Sequence, residues 1–252
     1  MKAAELGLGL LSIGRTWGVS NVLPPDEVMA ERLIETAFAS GIRFFDTAPA
    51  YARSELILGR VLRRNPALAK DSLVATKMGE HWDERSQTSW VSHEREDLVR
   101  SLENSLSRLG RIDILQIHKA SAANVGADAV LETLDHARTC DVRQFGVSVS
   151  DLETAELACK SGQYAFVQFA FNRQNEAMKP AFDLLAARGM RPIVNRPLAM
   201  GALANGEPAS LAAAYKFVLE HMSSGVVLTG TSREAHLLQN VAAFQAAVRK
   251  SQ

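Results

Sequence analysis

Cysteine is nearly absent: Cys140 and Cys159 are the only two in 252 residues. Two thiols cannot build the disulfide framework of a small secreted domain. They suit a reducing compartment, and the cytoplasm is the expected location. Net charge is absent as well, with 28 Lys plus Arg against 28 Asp plus Glu. Binders of nucleic acid or anionic membranes normally carry a basic excess, so neither partner is expected. No continuous apolar run reaches the ~18 residues of a membrane span. The opening stretch, MKAAELGLGLLSIG, lacks the apolar core and cleavage site of a signal peptide. No Cys/His spacing suits zinc, so no metal is expected. Neither a Gly-x-Gly-x-x-Gly turn nor a P-loop is present. No linker or low-complexity tract divides the chain, and 47 % of it is apolar, an ordinary globular value. A single domain over residues 1–252 is expected.

What the chain does contain is regular alternation. Short apolar runs occur at Leu6–Leu11, Ile42–Phe45, Ser72–Thr76, Ile112–Ile117, Val142–Val147, Ala165–Phe171, Pro192–Val194 and Gly225–Leu228. Most are continuous rather than alternating, as expected for strands buried on both faces of a parallel sheet. Helical patterns lie between them. Pro25-Asp26 opens the first, with Met29, Leu33, Ile34, Ala37 and Phe38 on one stripe, and Ser54 is placed to cap the second. The third carries Leu98, Leu102, Leu106 and Leu109 and stops at Gly110; later helices fit 127–138, 151–160, 177–188, 210–221 and 233–249. Eight strand–helix units in ~250 residues predict a (β/α)8 TIM barrel, with an open doubly wound sheet as the runner-up. In such a barrel chemistry sits at the C-terminal ends of the strands.

Four polar residues fall on that rim. Asp46 follows the second run, Tyr51 lies five residues later, Lys77 ends SLVATK, and His118 ends IDILQIH. Singly, each has an ordinary reading as a helix cap, a solvated charge, a structural histidine or a packed ring. Together they form a specific chemical group. A phenol of pKa near ~10 is a poor acid at neutral pH, and an adjacent ammonium stabilises its phenolate. Asp46 can hold Lys77, and His118 can orient a carbonyl beside Tyr51, so that a proton is exchanged with an oxygen as charge develops there.

At these residues the sequence resembles the aldo-keto reductase family. FFDTAPAYARSELILGRVL is similar to the family's D-T-A-x-x-Y-G-x-S-E-x-x-L-G signature, with Ala52 where Gly is usual, and ATKMG and IDILQIHKA match the next two segments. The resemblance implies a short, compact member of bacterial type. In it Tyr51 is the acid/base, Lys77 lowers its pKa, Asp46 pairs with Lys77, and His118 orients the substrate carbonyl. FGVSVSD resembles the G-V-S-N segment, implying that Ser148 contacts a nicotinamide carboxamide; Val149 takes the place of Asn. VQFAFN implies Gln168 as the second carboxamide partner. NRPLAMGAL resembles the segment under the nicotinamide and pyrophosphate, which brings in Asn195, Arg196, Pro197, Leu198 and Gly201. LTGTSREAHLLQN resembles G-T-S-x-x-x-H-L-x-x-N, with Gly230, Thr231 and Ser232 at a helix N-terminus suited to phosphate. His236 and Asn240 follow along the adenosine end. NADP(H) is the implied cofactor, with Arg233 as cationic partner for a 2′-phosphate; NAD(H) stays open.

Trp17, and Trp82 and Trp90 in the polar stretch GEHWDERSQTSWVSHERE after Lys77, are pocket candidates by position. Lys119-Ala120 replaces a frequent Trp-Pro, and little chain follows the last helix. An open site for small aldehydes or ketones, in a monomer, is the expectation. Two alternatives remain: a catalytically slow NADP(H)-binding sensor or regulatory subunit, and a Schiff-base enzyme acting through Lys77.

Overall fold

The computed structural model describes residues 4–16, 22–203 and 208–249. Its strands are β1 (Glu5–Gly9), β2 (Phe44–Asp46), β3 (Leu73–Met78), β4 (Glu80–Asp83), β5 (Thr88–Val91), β6 (Ile114–Ile117), β7 (Gln144–Ser148), β8 (Phe166–Ala170), β9 (Arg191–Asn195) and β10 (Val226–Thr229). Eight of them close a parallel barrel in the order β1-β10-β9-β8-β7-β6-β3-β2, and β4 and β5 form a separate hairpin. The helices are α1 (Leu11–Gly14), α2 (Glu27–Ala39), α3 (Ser54–Arg64), α4 (Pro66–Asp71), α5 (Arg95–Leu109), α6 (Asp128–Thr139), α7 (Leu152–Ser161), α8 (Lys179–Ala187), α9 (Pro208–Leu219) and α10 (Glu234–Arg249). This is the (β/α)8 architecture, and each of the eight apolar runs overlaps one barrel strand.

The strands read as solid apolar runs because both faces are covered. Phe44, Ala75, Ile114, Phe166, Ile193, Val226 and Leu228 fill the barrel interior. Their neighbours in sequence, such as Phe45, Val74, Leu115, Val167 and Val227, pack outward against the helices. Burying a side chain of this size contributes about 1.5–3 kcal/mol. The helix ends follow their sequence signals. Asp26 Oδ1 accepts from Met29 N–H at 2.8 Å, and Asp151 Oδ1 accepts from Thr154 N–H at 2.8 Å. Gly110 closes α5 at φ 81°, a left-handed angle that glycine adopts without strain.

Four details go beyond or against the sequence expectation. Ser54 does not cap α3; it is the first helical residue, and its Oγ lies 2.7 Å from Thr47 Oγ1 in a buried hydroxyl pair. Met29 continues the apolar stripe of α2 into its first turn, beyond the core, and is 57 % exposed. The polar stretch after Lys77, read only as polar, folds into the β4–β5 hairpin. Its turn is held by Asp83 Oδ1, which accepts from the N–H groups of Arg85 at 2.8 Å and Ser86 at 3.2 Å. α4, capped by Asn65 through Leu68 N–H at 3.1 Å, was also unforeseen.

One close approach bears directly on the rim. α1 lies so near the 3-10 turn Pro49–Tyr51 that a Cβ on Gly14 would sit 1.8 Å from the Tyr51 carbonyl oxygen. Only glycine permits that contact, so α1 fixes where Tyr51 stands.

Candidate active site

The C-terminal strand ends open into a cavity of about 990 Å3. Asp46, Tyr51 and His118 line it, and Lys77 lies behind them, 1 % exposed. Parallel register sets Lys77 opposite Gln116 and Asp46 opposite Ala75. Lys77 Nζ donates to Asp46 Oδ2 at 2.7 Å and to the Thr47 carbonyl oxygen at 2.9 Å. Gln116 Nε2 donates to Asp46 Oδ1 at 3.0 Å. The carboxylate is thus held on both oxygens, and the buried ammonium is fixed in place.

Lys77 Nζ stands 4.8 Å from the Tyr51 ring centroid. The Tyr51 and His118 rings meet edge to face, 5.9 Å apart at 83°. Ala52, the residue after Tyr51, adopts φ 51° and ψ −115°. Glycine enters that region freely, and another residue pays about 1–3 kcal/mol for it. The signature's usual Gly at this position therefore has a backbone cause, and Ala52 accepts the strain.

Three groups are tuned by these neighbours. Burial pushes the Tyr51 phenol above its ordinary value; Lys77 pulls it down but does not overcome burial. Burial acts to lower Lys77, but Asp46 and Tyr51 outweigh it and hold the ammonium above its ordinary value. Burial, followed by the charges of Lys77, Lys119 and Arg15, drives His118 well below the usual imidazole range. The site therefore presents a protonated phenol, a charged ammonium and a neutral imidazole.

The pH consequence follows by sign. A raised Tyr51 pKa keeps its proton at every pH below about 10, and a lowered His118 pKa keeps the ring neutral above about 6.5. For any reaction in which Tyr51 gives up its proton beside a neutral His118, the pH profile of kcat/KM is expected to be flat between these limits. A limb titrating near neutrality would contradict the assignment.

Two features were not foreseen. Glu80, at the start of β4, is buried with Oε2 3.1 Å from His118 Nδ1, though the contact is not aligned as a hydrogen bond. Its Oε1 accepts from Ser89 Oγ at 2.9 Å. His93 Nε2 donates to the His118 carbonyl oxygen at 2.8 Å and so anchors the end of β6.

The other side of the cavity comes from β7 to β10. Ser148 and Gln168 are register partners and both line it, with Val149, Asn195, Arg196, Pro197, Leu198 and Gly201. Gln168 Oε1 and Asn195 Oδ1 are buried with no hydrogen-bond partner. Orphaned buried acceptors are costly, and two on one wall fit the amide donors of a carboxamide. Gly230, Thr231, Ser232, His236 and Asn240 line the far end. Thr231 Oγ1 accepts from Arg233 N–H at 3.1 Å, shaping the entry to α10. Glu234, the carboxylate in the first turn, is drawn off to Arg32 at 3.1 Å and Thr36 at 3.1 Å. Both contacts offset part of the charge that would repel a phosphate at this N-terminus. Asn240 Nδ2 is committed to Thr229 Oγ1 at 2.8 Å. Neither Trp82 nor Trp90 lines the cavity: Trp82 lies beneath the Arg15 guanidinium, which does, and Trp90 stacks on His81 at 4.2 Å. Trp17 falls outside the described residues.

The aldo/keto reductase family profile matches residues 5–211. The chain belongs to the aldo/keto reductase family. Gly230–Asn240 lie beyond the matched span, so their role rests on the geometry above. A Bacillus subtilis relative, the uncharacterized oxidoreductase YqkF, is 23 % identical over 205 residues, covering 79 % of this chain and 62 % of the relative. Pyridoxal 4-dehydrogenase of Microbacterium luteolum is 24 % identical over an alignment covering 98 % of this chain and 91 % of that enzyme. A Pseudomonas aeruginosa structure named as an aldo-keto reductase superposes with TM-score 0.82 at 27 % identity, covering 98 % of this chain and 92 % of that one. A holo-form aldo-keto reductase from Bacillus halodurans shares the fold at TM-score 0.80 and 20 % identity, over 99 % of this chain and 92 % of that one. Among the described residues no helix is long and apolar enough to cross a membrane.

Proposed function

We propose that this family member is an NADPH-dependent oxidoreductase that reduces the carbonyl of small aldehydes or ketones to alcohols. The observation that carries the reading is the convergence of Tyr51, Lys77, Asp46 and His118 on the cavity whose opposite wall holds the unpartnered Gln168 and Asn195 oxygens. Nicotinamide, when bound, supplies the hydride. Ser148, Gln168 and Asn195 are assigned to its carboxamide, the segment 196–201 to its pyrophosphate side, and Gly230–Ser232 with His236 and Asn240 to the nucleotide end.

Tyr51 donates the proton to the carbonyl oxygen as negative charge builds there. The phenolate it becomes is stabilised by the Lys77 ammonium, and Asp46 holds that ammonium in place. His118 is neutral, and its Nε2 has no partner among the described residues. Nε2 is the ring nitrogen left open to the cavity, and in the tautomer that carries the proton there it positions the carbonyl oxygen. Preorganised donors at the oxygen where charge develops supply the largest share of such a rate enhancement.

The preference for NADPH is assigned to Arg233, whose guanidinium has no ion-pair partner among the described residues and lines the nucleotide end. Two measurements test the reading. Loss of NADPH absorbance with a panel of small aldehydes is expected; tight cofactor binding without turnover across the panel would move the protein to the sensor class. NADPH is expected to bind at least about 10-fold more tightly than NADH, as one charge-assisted phosphate contact implies. Equal affinities would remove the NADPH assignment.

A further inference from the structure

We propose that Arg15 is an anion receptor of the substrate pocket, so that the preferred carbonyl substrates carry a carboxylate a few bonds, or one ring, away from the reacting carbon. The inference rests on the carbonyl-reductase reading and names the substrate class of that same site.

Arg15 follows α1 directly, and its N–H donates to the Leu11 carbonyl oxygen at 3.1 Å. The preceding residue is Gly14, which lies against the Tyr51 carbonyl. Arg15 therefore starts one residue from the point where the chain touches the turn that carries Tyr51. Its side chain lines the same cavity as Tyr51 and His118. The guanidinium lies over the Trp82 ring, 5.2 Å from its centroid. That face contact orients the group without using any of its N–H donors. Nε is buried with no acceptor, and Arg15 has no ion pair or hydrogen bond from its side chain among the described residues. Arginines elsewhere in the chain are routinely paired, as Arg60 with Glu31 at 2.8 Å, Arg108 with Glu55 at 3.0 Å and Arg191 with Glu5 at 3.0 Å.

The carboxylates that share the cavity are engaged elsewhere. Asp46 is held by Lys77 and Gln116. Glu80 faces His118 and accepts from Ser89. Asp151 caps α7. A second cation, Lys119, also lines the cavity beside His118, at φ 52°, and has no ion pair among the described residues. In a chain of zero net charge the substrate side thus holds two cations without counterions. Trp82 follows β3, which lies on the other side of the barrel from β8 and β9, and its ring draws the guanidinium toward the side of the mouth that carries Tyr51 and Lys77. A planar fork with free donors and a fixed plane matches a carboxylate.

The test compares 4-carboxybenzaldehyde with methyl 4-formylbenzoate, which differ in charge at the far end of the ring. In the unaltered enzyme kcat/KM is expected to favour the carboxylate about 10-fold or more. Arg15→Met, which keeps an apolar stem over Trp82, is expected to bring that ratio close to one, and Arg15→Lys to restore part of it. Calorimetric titration with benzoate and its neutral counterpart benzamide gives a readout without turnover, with benzoate bound more tightly only while Arg15 is present. The proposal is overturned by equal kcat/KM for the two aldehydes, by a preference that survives Arg15→Met, or by one lost only in Lys119→Met. A loss of NADPH affinity in Arg15→Met that matches the loss of preference would place the guanidinium on the cofactor and overturn it equally. If neither aldehyde is reduced, the carbonyl-reductase reading fails, while the benzoate titration still decides whether the anion site exists.

Discussion

Tyr51→Phe is expected to lower kcat for aldehyde reduction by about 1,000-fold while leaving the NADPH dissociation constant within about twofold. The magnitude lies within the 100- to 10,000-fold range of general-acid contributions. The substitution is clean because the ring is retained. Phenylalanine can keep the edge-to-face contact with His118 at 5.9 Å and the approach of Lys77 Nζ at 4.8 Å. The turn Pro49–Tyr51 and its contact with Gly14 involve backbone only. What disappears is the proton and the phenolate that Lys77 would stabilise. Water is a poor replacement, because a solvent molecule entering the space is neither oriented by the turn nor paired with the ammonium. Single-turnover kinetics at saturating NADPH separate the chemical step from release. Full turnover by the Phe variant would assign the proton to another donor, and His118 would be the next group to examine. A fall in cofactor affinity equal to the fall in kcat would show that the change had disturbed the pocket instead.

The barrel was legible because its signal is local. Each strand is a short apolar run, and the residue that ends it faces the rim, so Asp46, Lys77 and His118 could be read in turn along the chain. Gln116 carried a signal that went unused. It lies in β6, two residues before His118, which follows the strand's last residue, and its register with Lys77 brings it to Asp46. Glu80 and Arg15 had no such signal. Glu80 reaches His118 only because the polar stretch folds into a hairpin. Arg15 matters only because Trp82, remote in sequence, comes beneath it. Both contacts join the β4–β5 hairpin to segments outside the barrel strands, where side-chain direction follows tertiary packing rather than the barrel's own pattern. Trp82 was selected as a pocket wall by its position, and its place is one layer further out. Met29 failed for a related reason: helical period assigns a face but does not say how far the neighbouring core extends.

Asp46→Leu tests the buried pair through stability as well as rate. Breaking a buried ion pair by removing one partner costs about 3–5 kcal/mol, because the remaining charge stays buried. Here Lys77 is 1 % exposed, and in the variant the Thr47 carbonyl at 2.9 Å and the neutral Tyr51 hydroxyl would be left to accept from it, with no counter-charge. Gln116 Nε2 would also lose its acceptor. A large fall in the urea midpoint is therefore expected, read at constant m-value. The double variant Asp46→Leu/Lys77→Met removes both charges and fills the space with apolar atoms, and buried pairs replaced in this way are often neutral or stabilising. It is expected to recover most of the lost stability. Activity is expected to follow a different rule. Without the ammonium, burial and the Glu80 carboxylate both push the Tyr51 phenol up, its phenolate has no counter-charge, and kcat is expected to stay low in the double variant although the protein is well folded. Recovery of both stability and rate would show that Lys77 serves packing and not the proton transfer. Recovery of neither would show that Gln116, left without Asp46, is the dominant loss, and Asp46→Leu/Lys77→Met/Gln116→Met would then be the variant that refolds to full stability. The pair is thus assigned a catalytic purpose that its contribution to the fold does not explain, since a Leu and a Met could hold the same strands together.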